Sequence, residues 1–157
     1  MLLCYLDAFQ HKRGRELVPS WHAWVVVPTD DQGTQAWAEM MSFVPSWAIL
    51  RVSEGEKKIM LKGSTLWAGG YGLIEMKTAF APETLQTAGL DFLWMCEAQD
   101  MRDAAWHKAQ PATISPGRDG KIIVEGLPAR YPEHWFRKLY SHAEDHHTPG
   151  RRNYEAF

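Results

Sequence analysis

The sequence predicts an α/β fold with three layers, in which helices cover both faces of a mostly parallel sheet. Strand-like and helix-like segments alternate along most of the chain, which is typical of parallel strands joined by crossover helices. The segment "LDFLWMC" is apolar at nearly every position, as expected of a strand buried on both faces. With 157 residues, of which 45% are hydrophobic, the chain can bury a core, and we expect residues 1–157 to form a single domain.

The first strand–helix pair is predicted within the first 45 residues. Apolar residues at helical spacing predict a helix over residues 1–12. The β-branched run of residues 25–27 predicts a strand, which Pro28 ends. Thr29 or Asp30 can then cap a helix through "QGTQAWAEMMSF", because short polar side chains accept hydrogen bonds from the first N–H groups of a helix.

Short apolar segments separated by glycines follow between residues 49 and 78. The segments "AILRVS", "KIMLK" and "GLIEMKTA" predict three short strands. Such strands are typical of an antiparallel meander. We expect this meander to be a short antiparallel insertion at one edge of the sheet.

The second half of the chain repeats the order of strand and helix twice. "LDFLWMC" predicts a strand, and "DMRDAAWHKA" predicts the helix that follows it. "GKIIVEG" predicts another strand, and a turn with Gly126 and Pro128 leads to a helix from about Pro132, a residue suited to a first helical turn.

Composition excludes some classes of function. The net charge of −2 gives no basic or acidic excess that would point to a nucleic acid or a membrane surface. Two cysteines, Cys4 and Cys96, can form neither a disulfide framework nor a zinc site by themselves, which favours a reducing compartment. The apolar N-terminal segment lacks the features of a signal peptide and is too short to span a bilayer. We therefore expect a cytoplasmic protein that does not bind a membrane.

Glu97 is the candidate catalytic residue because it ends a buried strand. In a parallel sheet the carboxyl ends of "VVVPT", "WMCEA" and "VEGLP" meet at one edge, where ligands of such folds gather. A carboxylate at that point is typical of nucleotide hydrolases, which present it to a metal ion or to the attacking water. The alternative is a solvated glutamate at the start of the next helix, and spacing alone favours that alternative.

Two weaker patterns lie near the C-terminus. A cluster of three histidines and one aspartate could bind a metal, although a solvated tail explains it better; its members are His142, Asp145, His146 and His147. A modest basic segment could contact DNA phosphates, although a solvated helix face is the simpler interpretation; its members are Arg130, Arg137, Lys138, Arg151 and Arg152.

A resemblance to a known family rests on four segments in order: "HAWVVVPTDDQGTQAWAEM", "TAFAPETLQTAGLDFLWMCEAQDM", "AWHKAQPATISPGRDGKIIVEGLPAR" and "HWFRKLY". Together they resemble the ATPase half of the phage terminase large subunit, the motor that pumps DNA into a capsid. The resemblance covers nearly the whole chain. It implies a RecA-like P-loop NTPase fold, ATP and Mg²⁺ as ligands, and a bacterial host cell, phage-infected or lysogenic, as the setting. It also implies double-stranded DNA, the portal protein and other terminase subunits as partners.

The resemblance assigns roles to particular residues. Glu97, at the end of the Walker B strand, matches the catalytic carboxylate that polarises the attacking water. Cys96 takes the position of the family's Mg²⁺-binding aspartate, and a thiol is a poor ligand for that cation. Gly126, Leu127 and Pro128 match the coupling motif, with Leu127 in place of the family's hydroxyl residue.

The family's phosphate-binding loop has no counterpart, because no G-x-x-x-x-G-K-[ST] motif occurs in the 157 residues. We therefore expect a partial ATPase domain, with neither this loop nor the family's nuclease half, which does not hydrolyse ATP as an isolated chain. Two alternatives remain open: a non-catalytic protein-binding remnant, and a fragment of a superfamily two helicase. In RecA-like ATPases the missing loop follows a strand beside "KIIVEG". We thus expect the spatial order "KIIVEG", "LDFLWMC", "WHAWVVV", with residues 121–126 as an unpaired edge that self-associates or needs a partner strand.

Overall fold

The structure is a computed structural model that describes residues 20–62, 71–86, 89–114 and 120–145. The described residues form six strands: β1 Ser20–Val27, β2 Ile49–Ser53, β3 Lys58–Lys62, β4 Tyr71–Thr78, β5 Phe92–Met95 and β6 Lys121–Val124. They also form three α-helices: α1 Asp30–Phe43, α2 Asp103–Ala109 and α3 Trp135–Asp145. The helix predicted over residues 1–12 lies outside the described residues.

All six strands belong to one sheet, in the order β2-β3-β4-β1-β5-β6. The strands β4, β1, β5 and β6 are parallel, whereas β3 is antiparallel to both of its neighbours. The predicted α/β class with a mostly parallel sheet is therefore confirmed. The predicted spatial order of β6, β5 and β1 is confirmed as well, and within the described part of the chain β6 is the edge strand.

The meander is only partly as predicted. Its three strands and their antiparallel pairing are confirmed, but β4 also pairs in parallel with β1 along all eight of its residues. The strand is therefore central, and the expectation that it belongs to an edge insertion is wrong. Gly72 is one reason why the sequence favours an edge position, because a glycine is typical of a strand break. In the structure this glycine has a packing role, since a side chain at position 72 would overlap the indole of Trp21 on the neighbouring strand.

The helices begin close to their predicted positions. The Oγ1 atom of Thr29 accepts a hydrogen bond from the backbone N–H of Gln32 at 3.4 Å, and Thr29 is the N-cap of α1, as predicted. Helix α3 begins at Trp135, three residues after the predicted start at Pro132. The ring of His134 caps it, with its Nδ1 atom 3.3 Å from the backbone N of Phe136.

Helices pack on both faces of the sheet, which gives the three predicted layers. On one face Trp37 of α1 packs with side chains of the central strands, among them Val25, Ile74 and Phe92. On the opposite face Ala105 of α2 and Trp135 of α3 pack with other side chains of those strands. No helix of the described residues is long and apolar enough to cross a bilayer.

A buried carboxylate lies on the central strand β4. Glu75 of β4 is buried, and its carboxylate lies 2.8 Å from His22 Nε2 and 3.0 Å from Lys58 Nζ. The indole N–H of Trp24 donates to it at 2.7 Å. The pKa of Glu75 lies well below its usual range. The hydrogen bond with His22 is the largest cause, those with Trp24 and Lys58 add to it, and burial opposes them. Glu75 is thus an ionised group that joins β1, β3 and β4.

Candidate functional site

The carboxyl ends of β1, β5 and β6 meet at one edge of the sheet. The three strands are parallel neighbours, and β5 lies between the other two. Backbone hydrogen bonds between neighbouring strands continue beyond the strand ends. The N–H of Cys96 donates to the carbonyl of Val26, and the N–H of Glu125 donates to the carbonyl of Met95. The residues that follow each strand are therefore held side by side, as the sequence predicted for this edge.

Glu97 lies where the chain leaves β5. Its backbone has φ 56° and ψ 46°, the left-handed conformation that residues with a side chain seldom adopt. The turn leads directly into a short 3₁₀ helix, Ala98–Asp100, and the Glu97 side chain is exposed. Left-handed non-glycine residues cost free energy and cluster at functional sites. The geometry presents a carboxylate to solvent at the strand end.

Gln99 connects Glu97 to the turn after β6. Its Nε2 donates to the Oε2 atom of Glu97 at 2.7 Å and to the Oδ2 atom of Asp100 at 3.3 Å. Its Oε1 accepts a hydrogen bond from the backbone N–H of Leu127 at 2.9 Å. The backbone N–H of Ala98 also donates to the carbonyl of Glu125 at 2.9 Å. The structure thus brings the candidate carboxylate and the predicted coupling motif together.

Gly126 permits this close approach. A side chain at position 126 would overlap the Oε1 atom of Gln99 and would lie 3.0 Å from the backbone N of Ala98. Phe136 of α3 would lie at 3.3 Å. The glycine of the predicted coupling motif therefore has a packing role in this chain. The other two residues of the motif, Leu127 and Pro128, are exposed.

Cys96 is part of the same edge, and its thiol is protonated. Burial is the main effect that raises the pKa of Cys96 above its usual range. The carboxylate of Glu125 accepts a hydrogen bond from the thiol and raises the pKa further, and the negative charge of Glu97 adds to this effect. A protonated thiol does not bind Mg²⁺, which prefers charged or neutral oxygen ligands. The side chain present at position 96 therefore does not fit a directly bound Mg²⁺.

Within the described ranges, no group of three or more His, Cys, Asp or Glu side chains could hold a metal ion. The candidate histidine cluster stays a prediction, because His146 and His147 lie outside the described residues. Of the basic segment, the exposed Arg137 and Lys138 belong to α3, and the guanidinium of Arg130 lies 5.9 Å from the ring centre of Tyr131.

Helix α3 is anchored to the loop that carries Glu97. The backbone carbonyl of Met101 accepts a hydrogen bond from the indole N–H of Trp135 at 2.9 Å and lies 3.0 Å from His134 Nε2. The indole of Trp135 stacks on that of Trp106 in α2, with ring centres 5.2 Å apart. The loop after β5, the turn after β6 and α3 are therefore packed as one unit.

Sequence reasoning did not single out Gln99 or Glu125. The signal for Gln99 is weak but present: an amide two residues after a candidate carboxylate, in a tight turn, can donate to that carboxylate and still accept a second hydrogen bond. Its second partner, Leu127, is 28 positions away along the chain. Only the strand order brings the two residues into contact.

The structure has the fold of the ATPase domain of phage large terminases, which are its structural neighbours. One neighbour is the large terminase ATPase domain of Thermus phage P74-26, with a TM-score of 0.66 at 17% identity, covering 96% of this chain and 61% of that chain. Another is a large terminase from a thermophilic bacteriophage, with a TM-score of 0.62 at 13% identity, covering 88% of this chain and 34% of that chain. The same thermophilic bacteriophage terminase in complex with ADP gives a TM-score of 0.61 at 14% identity, with 88% and 33% covered.

At these identities the likeness defines the fold. The chain spans about 61% of the length of the P74-26 ATPase domain and about a third of the thermophilic bacteriophage terminase. No protein-family model matches the sequence, and no curated protein sequence matches it.

Proposed function

We propose that this chain is part of the ATPase of a phage DNA-packaging motor, the large terminase, with a RecA-like P-loop NTPase architecture. The observation that carries the proposal is the position of Glu97, an exposed carboxylate at the end of β5, within a fold that matches a terminase ATPase domain over 96% of this chain. The resemblance of four ordered sequence segments supports the same family.

Glu97 is the residue that polarises the attacking water in this proposal. Ligands of open α/β sheets bind beyond the carboxyl ends of the strands, which is the edge where Glu97 lies. A carboxylate there can accept a proton from a water molecule as that water attacks a phosphorus atom. The complex of the thermophilic bacteriophage terminase with ADP supports a nucleotide as the ligand of this fold.

The 157 residues supply only part of the chemistry in this proposal. The sequence has no G-x-x-x-x-G-K-[ST] motif, whose lysine and backbone N–H groups bind the phosphates. The residue at the metal position is a protonated cysteine, so no step is assigned to Mg²⁺ in this chain. The phosphate-binding loop is therefore contributed by polypeptide outside these residues. Gly126, Leu127 and Pro128 provide the coupling turn.

The partners that follow from this assignment are double-stranded DNA, the portal protein and other terminase subunits, in the cytoplasm of a bacterial host. Within the described part of the chain β6 is the edge strand, and a strand in that position can take a further strand from outside these residues.

The experiment is a reconstitution. A strand and phosphate-binding loop taken from the P74-26 ATPase domain is joined ahead of residue 1, and phosphate release from Mg-ATP is measured. We expect turnover in the joined chain and a loss of about 100-fold or more in Glu97→Gln, since general bases contribute that much. Glu83→Gln, a change at another exposed glutamate, is the matched control and should retain turnover. A joined chain whose turnover survives Glu97→Gln would contradict the proposal.

A second candidate is a non-catalytic protein-binding module with the same fold. Cys96 favours it, because the thiol has neither the charge nor the hardness to hold Mg²⁺. A joined chain that folds and binds its partners without any turnover would favour this candidate over the first.

A further inference from the structure

We infer that Gln99 is a positioning residue for Glu97, which orients the carboxylate and links it to the turn after β6. The inference rests on the proposed function, since it gives Gln99 a role in a site whose reacting group is Glu97. It is carried by the three hydrogen bonds of one side-chain amide, to Glu97, Asp100 and the backbone of Leu127.

The orientation of the Gln99 amide is fixed by its neighbours. Its NH₂ group faces two carboxylates, which only accept, and its oxygen faces a backbone N–H, which only donates. A rotated amide would place its oxygen against the carboxylates of Glu97 and Asp100 and its NH₂ group against the N–H of Leu127. Every contact would then be repulsive, so the observed orientation is the one that the site permits.

The hydrogen bond from Gln99 restricts the conformations of the Glu97 side chain. A glutamate side chain has three rotatable bonds, and an exposed one loses rotamer freedom whenever it takes up one geometry. A hydrogen bond to an ionised carboxylate is about twice as strong as one between neutral groups. The bond from Gln99 to Oε2 therefore reduces the range of Glu97 positions, and the carboxylate keeps acceptor capacity for a water.

The same side chain joins two segments of the site. Because Oε1 of Gln99 accepts from Leu127, a displacement of the turn after β6 changes the position of the group that holds Glu97. Gly126 keeps the turn close enough for this bond, since a larger residue would overlap Gln99. A glutamine fits the position because it combines a donor and an acceptor at the length that both contacts require.

The experiment separates the two halves of the link without any nucleotide. Gln99→Met keeps the length of the side chain and removes both its hydrogen-bond donor and its acceptor. Gln99→Glu keeps an acceptor for Leu127 and removes the donor to Glu97. Gln35→Met, at an exposed glutamine on α1, is the matched control. All chains carry Ile123→Lys, a charge on β6 that opposes pairing of this strand with another chain. The readouts are the exchange rate of the Leu127 backbone amide and the ¹³C shift of the Glu97 carboxyl, both by NMR.

We expect Gln99→Met to speed exchange of the Leu127 amide about five- to tenfold, the effect of losing one hydrogen bond. Gln99→Glu should speed that exchange by less than Gln99→Met does, because its carboxylate still accepts from Leu127 but is repelled by the carboxylates of Glu97 and Asp100. The Glu97 carboxyl shift should move in both Gln99 variants and stay in place in the control. An unchanged exchange of Val26, in the buried strand β1, shows that the fold is retained.

An unchanged Leu127 exchange rate in Gln99→Met, or an unmoved Glu97 shift in both variants, would overturn the inference. If Gln99→Met does not fold, Gln99→Glu still tests the contact with Glu97. Failure of the proposed function has a different signature: the NMR results stand as expected, while the reconstituted chain keeps its turnover in Glu97→Gln.

Discussion

At the scale of single residues, Glu97 combines an unusual backbone with an exposed side chain. A left-handed conformation costs about 1–2 kcal/mol for most residues, and asparagine tolerates it better than others. We therefore expect Glu97→Val to lower the free energy of unfolding by about 1–2 kcal/mol relative to Glu97→Asn, because a β-branched side chain fits this conformation worst. Urea unfolding at pH 7 measures the difference. Equal stabilities would mean that the left-handed turn is absent in solution.

Glu75 is a buried carboxylate whose contacts contribute to the stability of the sheet. Its carboxylate contacts His22, Trp24 and Lys58, and Gln in its place would leave Lys58 without its buried anionic partner. Breaking a buried pair costs about 3–5 kcal/mol, and since Lys58 is about one-third exposed we expect about 2–3 kcal/mol for Glu75→Gln at pH 7. Glu56→Gln, at the 64% exposed second partner of Lys58, should cost less than about 0.5 kcal/mol.

The pH dependence of this contribution has a defined sign. The pKa of Glu75 is lowered in the folded state, so its stabilisation is fully present above the ordinary glutamate pKa of about 4.3 and is lost as the pH falls below that value. The difference between the parent chain and Glu75→Gln should therefore shrink from pH 5 towards pH 2. A difference that stays constant over that range would show that folding does not lower the pKa of Glu75.

Single residues also show what the sequence could predict. The position of Glu97 follows from a local pattern, an acidic residue after an apolar strand, and needs no tertiary information. The burial of Glu75 does not, because its partners His22 and Lys58 lie on two other strands whose pairing with β4 is set by the sheet. Gln99 is similar, since its partner Leu127 belongs to the next strand's turn.

At the scale of elements, the segments that follow β5 and β6 form the surroundings of Cys96, and they determine which side chains this position can accommodate. An aspartate at position 96 would face the carboxylates of Glu97 and Glu125 in a partly buried place. We expect Cys96→Asp to restore no Mg-dependent ATP turnover, because a metal ligand cannot replace a phosphate-binding loop and such groups act as a unit. We also expect it to lower the free energy of unfolding by about 1–3 kcal/mol through unpaired charge.

Cys96→Ser is the control for this substitution, since it adds a polar group of similar size without charge. Phosphate release and urea unfolding are measured for both variants. Mg-dependent turnover in Cys96→Asp alone would contradict the prediction and would mean that a phosphate site exists within these 157 residues.

The strands and helices were predictable where hydrophobic period and turn residues agree. The cap at Thr29 and helix α1 follow from such local signals. The parallel partner of β4 does not, because "GLIEMKTA" has the same pattern whether it lies at an edge or beside β1, and its glycine favours an edge position. The position of a strand in a sheet depends on long-range packing, which the local pattern does not contain.

At the scale of the whole molecule, we expect association to occur at β6, the edge strand of the sheet that the described residues form. Ile123 is 46% exposed on this strand, and an edge with few charges is a template for pairing with another chain. We expect light scattering to show concentration-dependent association at about 100 μM, a range where exposed edges aggregate. Ile123→Lys should reduce it. Phe80→Lys, at a residue that is 71% exposed and lies outside the strands, should reduce it much less.

A monodisperse monomer of the parent chain at that concentration would mean that the edge is covered in solution. Equal effects of Ile123→Lys and Phe80→Lys would instead assign the association to general surface hydrophobicity.

The central proposal is that these 157 residues carry a water-activating carboxylate, Glu97, while their sequence lacks the G-x-x-x-x-G-K-[ST] motif of a phosphate-binding loop. Phosphate release from millimolar Mg-ATP by the chain alone tests it most directly. The claim predicts a rate no faster than that of buffer, because without the lysine and backbone N–H groups of the loop most of the affinity for the phosphates is missing. Mg-dependent turnover by the chain alone that disappears in Glu97→Gln would contradict it, since the phosphate site would then lie within these residues.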